Sequence, residues 1–294
     1  MLDPRKLRLL RDLSRHGTIA AVAAALSYTP SAVSQQLAAL EREAGVPLLE
    51  RTGRRVALTA AGAVLVEHAE AVLAALEQAD AALAAVRTGL AGPLRIGAFP
   101  TAVRTLLSAA LVSLGRDHPG LELRVTELDP AAAPDALRTG RLDVALVHDY
   151  DHVPVEPDPA LATEPLVEEV MYLAGLEPGP GSIGDARDAA WIIGSPGTLC
   201  HAVALRACQA AGFTPRVRHH ADDFVAVLGL VAAGQGVALV PQLAAAQPPP
   251  GVTLSPLPLR RRTRIAYRRG ARRHPAVAAC VAALHASAAA YLAG

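Results

Sequence analysis

The chain has 294 residues, room for two or three domains with cores of their own. Apolar residues make up 52% of it, much of that alanine, and aromatics only 3%, which favours alanine-rich helices over an aromatic-filled β sandwich. Three cysteines (Cys200, Cys208, Cys280) exclude a disulfide-framed scaffold, and with no run of about 18 apolar residues and no signal-peptide pattern in MLDPRKLRLLRDL the chain reads as cytoplasmic, with no membrane partner.

The formal net charge is +1, but it is unevenly placed. Residues 1–58 carry nine Lys or Arg against five acids, residues 92–259 ten Arg against eighteen acids, and the last 35 residues eight Arg and no acid. A basic head on an acidic body suits an anionic partner for the head, although a merely solvated basic head has the same signature.

In chain order, DPRKLRLLRDLSRHG predicts a helix capped by Asp3, with Pro4 first and Gly17 as its stop. TIAAVAAALSY predicts a short helix beginning at Thr18 whose small Ala21, Ala23 and Ala24 allow a close crossing. TPSAVSQQLAALE predicts a third, capped by Thr29, with Val33, Leu37, Leu40 and Ala44 on the core stripe. Ser31, Ser34 and Gln35 then face outward, small and able to donate and accept hydrogen bonds, which suits base edges more than bulk water. Gly45 ends that helix, and TGRRVALT reads as a β hairpin, a wing turning at Gly53 with Arg51, Arg54 and Arg55 around its tip for phosphates or a minor groove.

From Thr59 a helical pattern runs for about 28 residues with Leu65, Val72, Leu76 and Leu83 on an a/d seam, which predicts pairing with a copy of itself. GLAGP breaks it. LRIGA, LELRVTEL, LDVALV, VEEVMYLA, AWIIG, GVALVP and TRIAYRR then read as strands, with helices at 101–115, 131–139, 199–211 and 224–233 between them and one more at the C-terminus. That alternation predicts α/β architecture with largely parallel sheets. The arginine tract LRRRTRIAYRRGARR reads as a solvated strand edge, where charge blocks edge pairing.

These stretches, together with SRHGTIAAVAAALSYTPSAVSQQLAALEREAGVPLLERTGRRVALTAAG, GRLDVALV and HHADDFVAVLGLVAAGQGVALVP, resemble the LysR-type transcriptional regulators over essentially the whole chain. Leu49 and Gln35 depart from the family pattern, which often has an aromatic and an arginine there. The resemblance implies an N-terminal all-α winged helix-turn-helix (1–58), a long linker helix (59–88) and a two-lobed effector-binding domain like a periplasmic binding protein (92–294). Lobe I is then 92–163 with 265–294, and lobe II is 164–264. It further implies double-stranded DNA as a partner, a homodimer or homotetramer, an effector bound between the lobes, and contact with RNA polymerase.

Ligands of α/β sheets bind beyond the carboxyl ends of strands. Those ends bring forward Phe99, Pro100 and Thr101; His148 and Asp149; and Ser195, Thr198 and His201, with Phe224 as a further wall. Helix starts bearing Thr101 and Thr198 suit a small anion, although ordinary capping explains each threonine equally well. HDYDH is too short a loop for a full metal shell, so no metal is assigned. Cys200 and Cys208 raise thiol redox sensing, found in a peroxide-sensing branch of the family, but a spacing of eight on one helix reads as packed thiols. No phosphate loop, GxSxG elbow or metalloprotease motif occurs, so neither enzyme nor cofactor is expected. The rival reading is a small-molecule-binding protein or enzyme whose N-terminal helices serve only assembly.

Overall fold

The structure, a computed structural model, describes residues 1–52, 55–86 and 90–293. Its N-terminal head opens with α1 (Pro4–His16), α2 (Ile19–Leu26) and α3 (Pro30–Ala44), each begun by a side-chain cap. Asp3 accepts from Arg5 N, Thr18 from Ala21 N and Thr29 from Ala32 N, satisfying N–H groups that a helix start leaves orphaned. The turn between α2 and α3 puts Ser27 in the left-handed region at φ +58°, which lets the two helices cross with only three residues between them. Leu10, Val22, Val33, Leu37, Leu40 and Leu48 fill the head's core.

Strands β1 (Leu49–Thr52) and β2 (Arg55–Leu58) pair antiparallel, and Glu41 Oε1 pins the hairpin to α3 by accepting from both Leu48 N (2.9 Å) and Leu49 N (3.0 Å). The expected tip, Gly53 and Arg54, lies outside the described residues. Helix α4 (Ala60–Val86) follows. It starts so close to the head that a Cβ on Gly62 would lie 2.2 Å from the Leu48 carbonyl oxygen.

The remaining elements are β3 (Gly92–Ala98), α5 (Pro100–Ala102), a π turn (Val103–Leu107), α6 (Ser108–Asp117), β4 (Leu121–Glu127), α7 (Ala133–Arg138), β5 (Val144–Tyr150), β6 (Leu161–Leu176), β7 (Ala190–Ile193), α8 (Leu199–Ala210), β8 (Arg216–His220), α9 (Phe224–Ala232), β9 (Ala238–Pro241), β10 (Val252–Arg268) and α10 (Pro275–Ala293). One six-stranded sheet runs β4-β3-β5-β10-β6-β9 and a two-stranded sheet pairs β7 with β8. Lobe I packs Leu94, Ile96, Leu114, Val144, Ile265, Val281 and Leu284 around α6 and α10, while lobe II packs Trp191, Ile193, Val203, Phe224, Val227 and Leu239 around α8 and α9.

Three expectations need correction. The main sheet is mixed: β3 is parallel to β4 and β5, but β10 is antiparallel to both β5 and β6, and β9 to β6. The reason is that the long strands β6 and β10 carry the chain between the lobes in opposite directions. The arginine tract is therefore central rather than an edge, with Arg261 0% exposed. Carboxylates satisfy it: Arg262 and Arg264 donate to Asp149, Arg262 also to Asp151, and Arg268 to Glu77. Strand β8, RVRHH, had no apolar alternation to announce it. The C-terminal helix α10 is long and apolar enough to cross a membrane by composition, yet its Val277, Cys280, Val281 and Leu284 are core residues of lobe I.

The head rests on lobe I of its own chain. Arg15 bridges Asp158 (2.5 Å) and Glu70 (3.1 Å), and Arg138 joins the same Asp158. Gly270, at φ +97°, lets α4 approach so closely that a Cβ there would meet the Ala74 carbonyl oxygen at 2.5 Å.

Candidate DNA-binding face and effector cleft

Helix α3 buries Val33, Leu37 and Leu40 and leaves Ser31, Ser34 and Gln35 exposed on the opposite side. Thr29, also exposed, uses its hydroxyl to cap α3 and lies 3.3 Å from the Ser31 hydroxyl. The four residues expected to face DNA on this helix thus form one uncharged, hydrogen-bonding surface. Arg51 and Arg55 sit opposite Val56 and Thr52 in the β1–β2 ladder, which Glu41 ties to the C-terminal part of α3, and Arg54 lies outside the described residues. The arrangement, a short polar helix face flanked by a two-stranded hairpin, is that of a winged helix-turn-helix.

The seam of α4 divides. Leu65 packs against the head's own core, while Val72, Leu76 and Leu83 are 41%, 44% and 69% exposed. Large apolar groups of α4 are thus open to water over about three turns, more than a scattered surface residue.

The expected effector residues are not all brought together. Phe99, Thr101, His148 and Phe224 are buried, and Ser195, Thr198 and His201 are partly so. Thr101 lies in α5 of lobe I, Thr198 caps α8 and Phe224 begins α9 in lobe II, and of the expected residues Phe224 lines the pocket described below. Asp149 is a correction. Alternation along β5 sends it to the face opposite His148 and Tyr150, where Arg262 and Arg264 hold it at 2.8 and 3.2 Å. The Thr198 hydroxyl is also spoken for: it accepts from His201 N and donates to Ser195 O. His201 Nδ1 is 2.9 Å from Gly194 O, and His220 Nδ1 is 3.0 Å from the same oxygen.

Sequence reading missed the polar centre beneath this cleft. Register aligns Tyr150, Arg261 and Glu169 as one row across β5, β10 and β6, with His148 and Thr263 in the next row on the same face. Glu169 Oε2 accepts from Arg261 Nε at 2.8 Å, and Oε1 accepts from Leu243 N at 2.8 Å. The guanidinium lies 5.1 Å from the Phe99 ring centroid, a buried cation–π contact. Arg261 Nη1, His148 Nδ1 and Thr263 Oγ1 have no hydrogen-bond partner among the described residues. Burial, and then the charge of Arg261, holds His148 well below the ordinary imidazole range, so it is neutral. Tyr150 OH lies 3.4 Å from Cys200 Sγ, and burial pushes both groups up. The signal that could have found the row was Glu169, an acid at an inward position of an apolar strand.

Two further residues join the lobes at the cleft mouth: Arg104 Nη1 of lobe I donates to Asp223 Oδ2 of lobe II at 2.6 Å. Beside them Asp222 accepts from both Ser195 N (2.7 Å) and Ser195 Oγ (2.6 Å). A small pocket of about 20 Å³, room for no more than a water-sized group, lies in lobe II between Tyr150, Cys200, Asp222, Phe224 and Leu239.

A head that can lie on DNA, joined by one long helix to two lobes with a cleft between them, is the plan of a ligand-responsive regulator. The family model for bacterial regulatory helix-turn-helix proteins of the LysR family matches residues 4–63, and that for the LysR substrate binding domain matches residues 87–289. The chain belongs to the LysR family of DNA-binding transcriptional regulators. It is similar to a probable hydrogen peroxide-inducible genes activator of Mycobacterium avium, 34% identical over 246 residues, covering 81% of this chain and 77% of the relative. It is also similar to the nitrogen assimilation regulatory protein nac of Escherichia coli K12, 30% identical over 245 residues, with 82% and 79% covered. Among solved structures, a cysteine mutant of OxyR from Corynebacterium glutamicum matches with a TM-score of 0.60 at 25% identity, over 100% of this chain and 93% of that one.

Proposed function

We propose that this regulator reads an operator through Ser31, Ser34 and Gln35 of α3, with Thr29 and the hairpin arginines Arg51, Arg54 and Arg55 holding the DNA backbone. The carrying observation is the uncharged, hydrogen-bonding outer face of α3. A glutamine can pair bidentately with adenine, whereas phosphate contacts fix position without reading sequence. The exposed Val72, Leu76 and Leu83 of α4 pair two chains, so that two heads meet one duplex, and the effector domains carry the assembly to a tetramer and to RNA polymerase. A small molecule between the lobes, against Pro100, Thr101, Ser195 and Phe224, favours one lobe arrangement by its differential affinity and so resets the spacing of the heads. Selection of genomic fragments on the purified chain tests this. Recovered fragments are expected to share an inverted repeat with half-sites set by helical turns, and an unrelated set contradicts it.

A second reading, thiol redox sensing, is favoured by the peroxide-inducible relatives and by the Tyr150–Cys200 contact. Against it stand the burial of the two thiols and their separation. Burial pushes Cys200 up and Cys208 up to about 12, which keeps both as thiols at neutral pH. Eight residues of helix also separate them by about 12 Å, so a bridge requires α8 to unwind. Thiol counting after peroxide treatment separates the readings: loss of two thiols per chain supports redox control, and retention of all three supports a reversible ligand.

A further inference from the structure

The geometry points to Arg104 as the residue that takes the charge of an anionic effector, with Asp223 and Asp222 occupying the effector's polar contacts until it arrives. This rests on the reading of the interlobe cleft as the effector site. Arg104 sits in the π turn between α5 and α6, on the lobe I wall, one turn after Thr101. Such insertions re-aim side chains and recur at functional sites. Its partner Asp223 belongs to lobe II, where the same carboxylate caps α9 by accepting from Val225 N (2.7 Å) and Ala226 N (3.2 Å). Cap and latch use different oxygens: Oδ1 holds α9 and Oδ2 holds Arg104.

The neighbouring Asp222 does the same on the other side. Two donors of the loop before α8, Ser195 N–H and Ser195 O–H, are taken by its two oxygens. A guanidinium on one wall and an N–H/O–H pair on the other are what a bound carboxylate or similar oxyanion would use. In the ligand-free chain, carboxylates of lobe II stand in for that anion. With side chains 41% and 38% exposed, the Arg104–Asp223 pair is weak, so exchanging one carboxylate for another is nearly balanced. A neutral molecule has no charge with which to displace Asp223. Exchange also frees one edge of the lobe contact, which gives the anion different affinities for the two lobe arrangements.

The test compares acetate, benzoate and succinate with acetamide, benzamide and succinamide, ionic strength being matched with sodium chloride. The thermal midpoint of the full chain is followed in the wild type, Arg104→Gln and Asp223→Asn. Asparagine caps a helix as well as aspartate, so the second variant removes the latch and keeps α9. At least one acid is expected to raise the midpoint where its amide does not. Its half-effect concentration falls about threefold in Asp223→Asn, the scale of a half-exposed ion pair. It rises about tenfold or more in Arg104→Gln, through loss of a charged hydrogen bond. Equal protection by acid and amide, or an acid response unchanged in Arg104→Gln, overturns the assignment of Arg104 while leaving a ligand-binding cleft in place. No protection by any compound in any of the three proteins overturns both.

Discussion

Glu169 and Arg261 offer the sharpest energetic consequence of the fold. Glu169 is 1% exposed and Arg261 0%, and the carboxylate accepts from two donors, Arg261 Nε and Leu243 N, with Arg261 Nη2 in ion-pair contact at 2.6 Å. Glu169→Ala leaves a guanidinium buried against Phe99 without its counter-charge and leaves the Leu243 N–H unpaired. Removing one partner of such a pair costs about 3–5 kcal/mol. For a domain of roughly 200 residues this lowers the midpoint by roughly 10 °C. The double variant Glu169→Met with Arg261→Met removes both charges, fills similar volume, and is expected to recover most of that loss. Urea titrations followed by Trp191 fluorescence read the effector domain alone, because Trp191 is the chain's single tryptophan and is 0% exposed in lobe II. A loss below about 1 kcal/mol in the single variant, or a double variant as unstable as the single, would refute the reasoning, since a buried pair cannot be both isolated and dispensable.

Other consequences follow from single contacts. Burial raises Asp158, but the Arg15 hydrogen bond, the Ala160 N–H and the charges of Arg138 and Arg15 outweigh it and hold this carboxyl below its ordinary value. Its contribution is therefore present above the ordinary carboxylate range and lost as pH falls through the depressed value, so Asp158→Asn should flatten the acid limb of a stability profile. An unchanged limb contradicts this. Leu83→Asp puts a charge on the exposed seam of α4 and should shift sedimentation toward monomer without unfolding the chain, and an unaltered oligomer places the interface elsewhere. Cys208, fully buried with its thiol pushed up to about 12, should resist iodoacetamide at neutral pH, and rapid labelling in the native state would contradict its packing.

What the sequence disclosed follows from distance along the chain. Caps at Asp3, Thr18 and Thr29 act over two or three residues, and the core stripe of α3 repeats within a few turns, so the head was legible. Asp149 was misplaced because alternation fixes that it opposes His148 but not which of the two faces the cleft. The Arg261–Glu169 pair joins residues 92 apart, and Arg104–Asp223 joins residues 119 apart, so no local pattern carries either. The arginine tract looked like an edge because its balancing acids lie on β5, β6 and α4, far away in sequence. The mixed sheet escaped for a related reason: strand direction depends on which lobe each half of a long strand enters.

The central claim is that the outer face of α3 reads bases. Fluorescence anisotropy across a salt series, with a selected operator and a scrambled duplex, tests it most directly when wild type is compared with Gln35→Ala. The variant is expected to lose about 1–3 kcal/mol on the operator and little on scrambled DNA, with its salt slope unchanged, because a base contact releases no counterions. Arg54→Ala serves as the control, weakening both duplexes and lowering the slope by about 0.9. If Gln35→Ala weakens both duplexes equally, or neither, α3 does not read sequence through that residue.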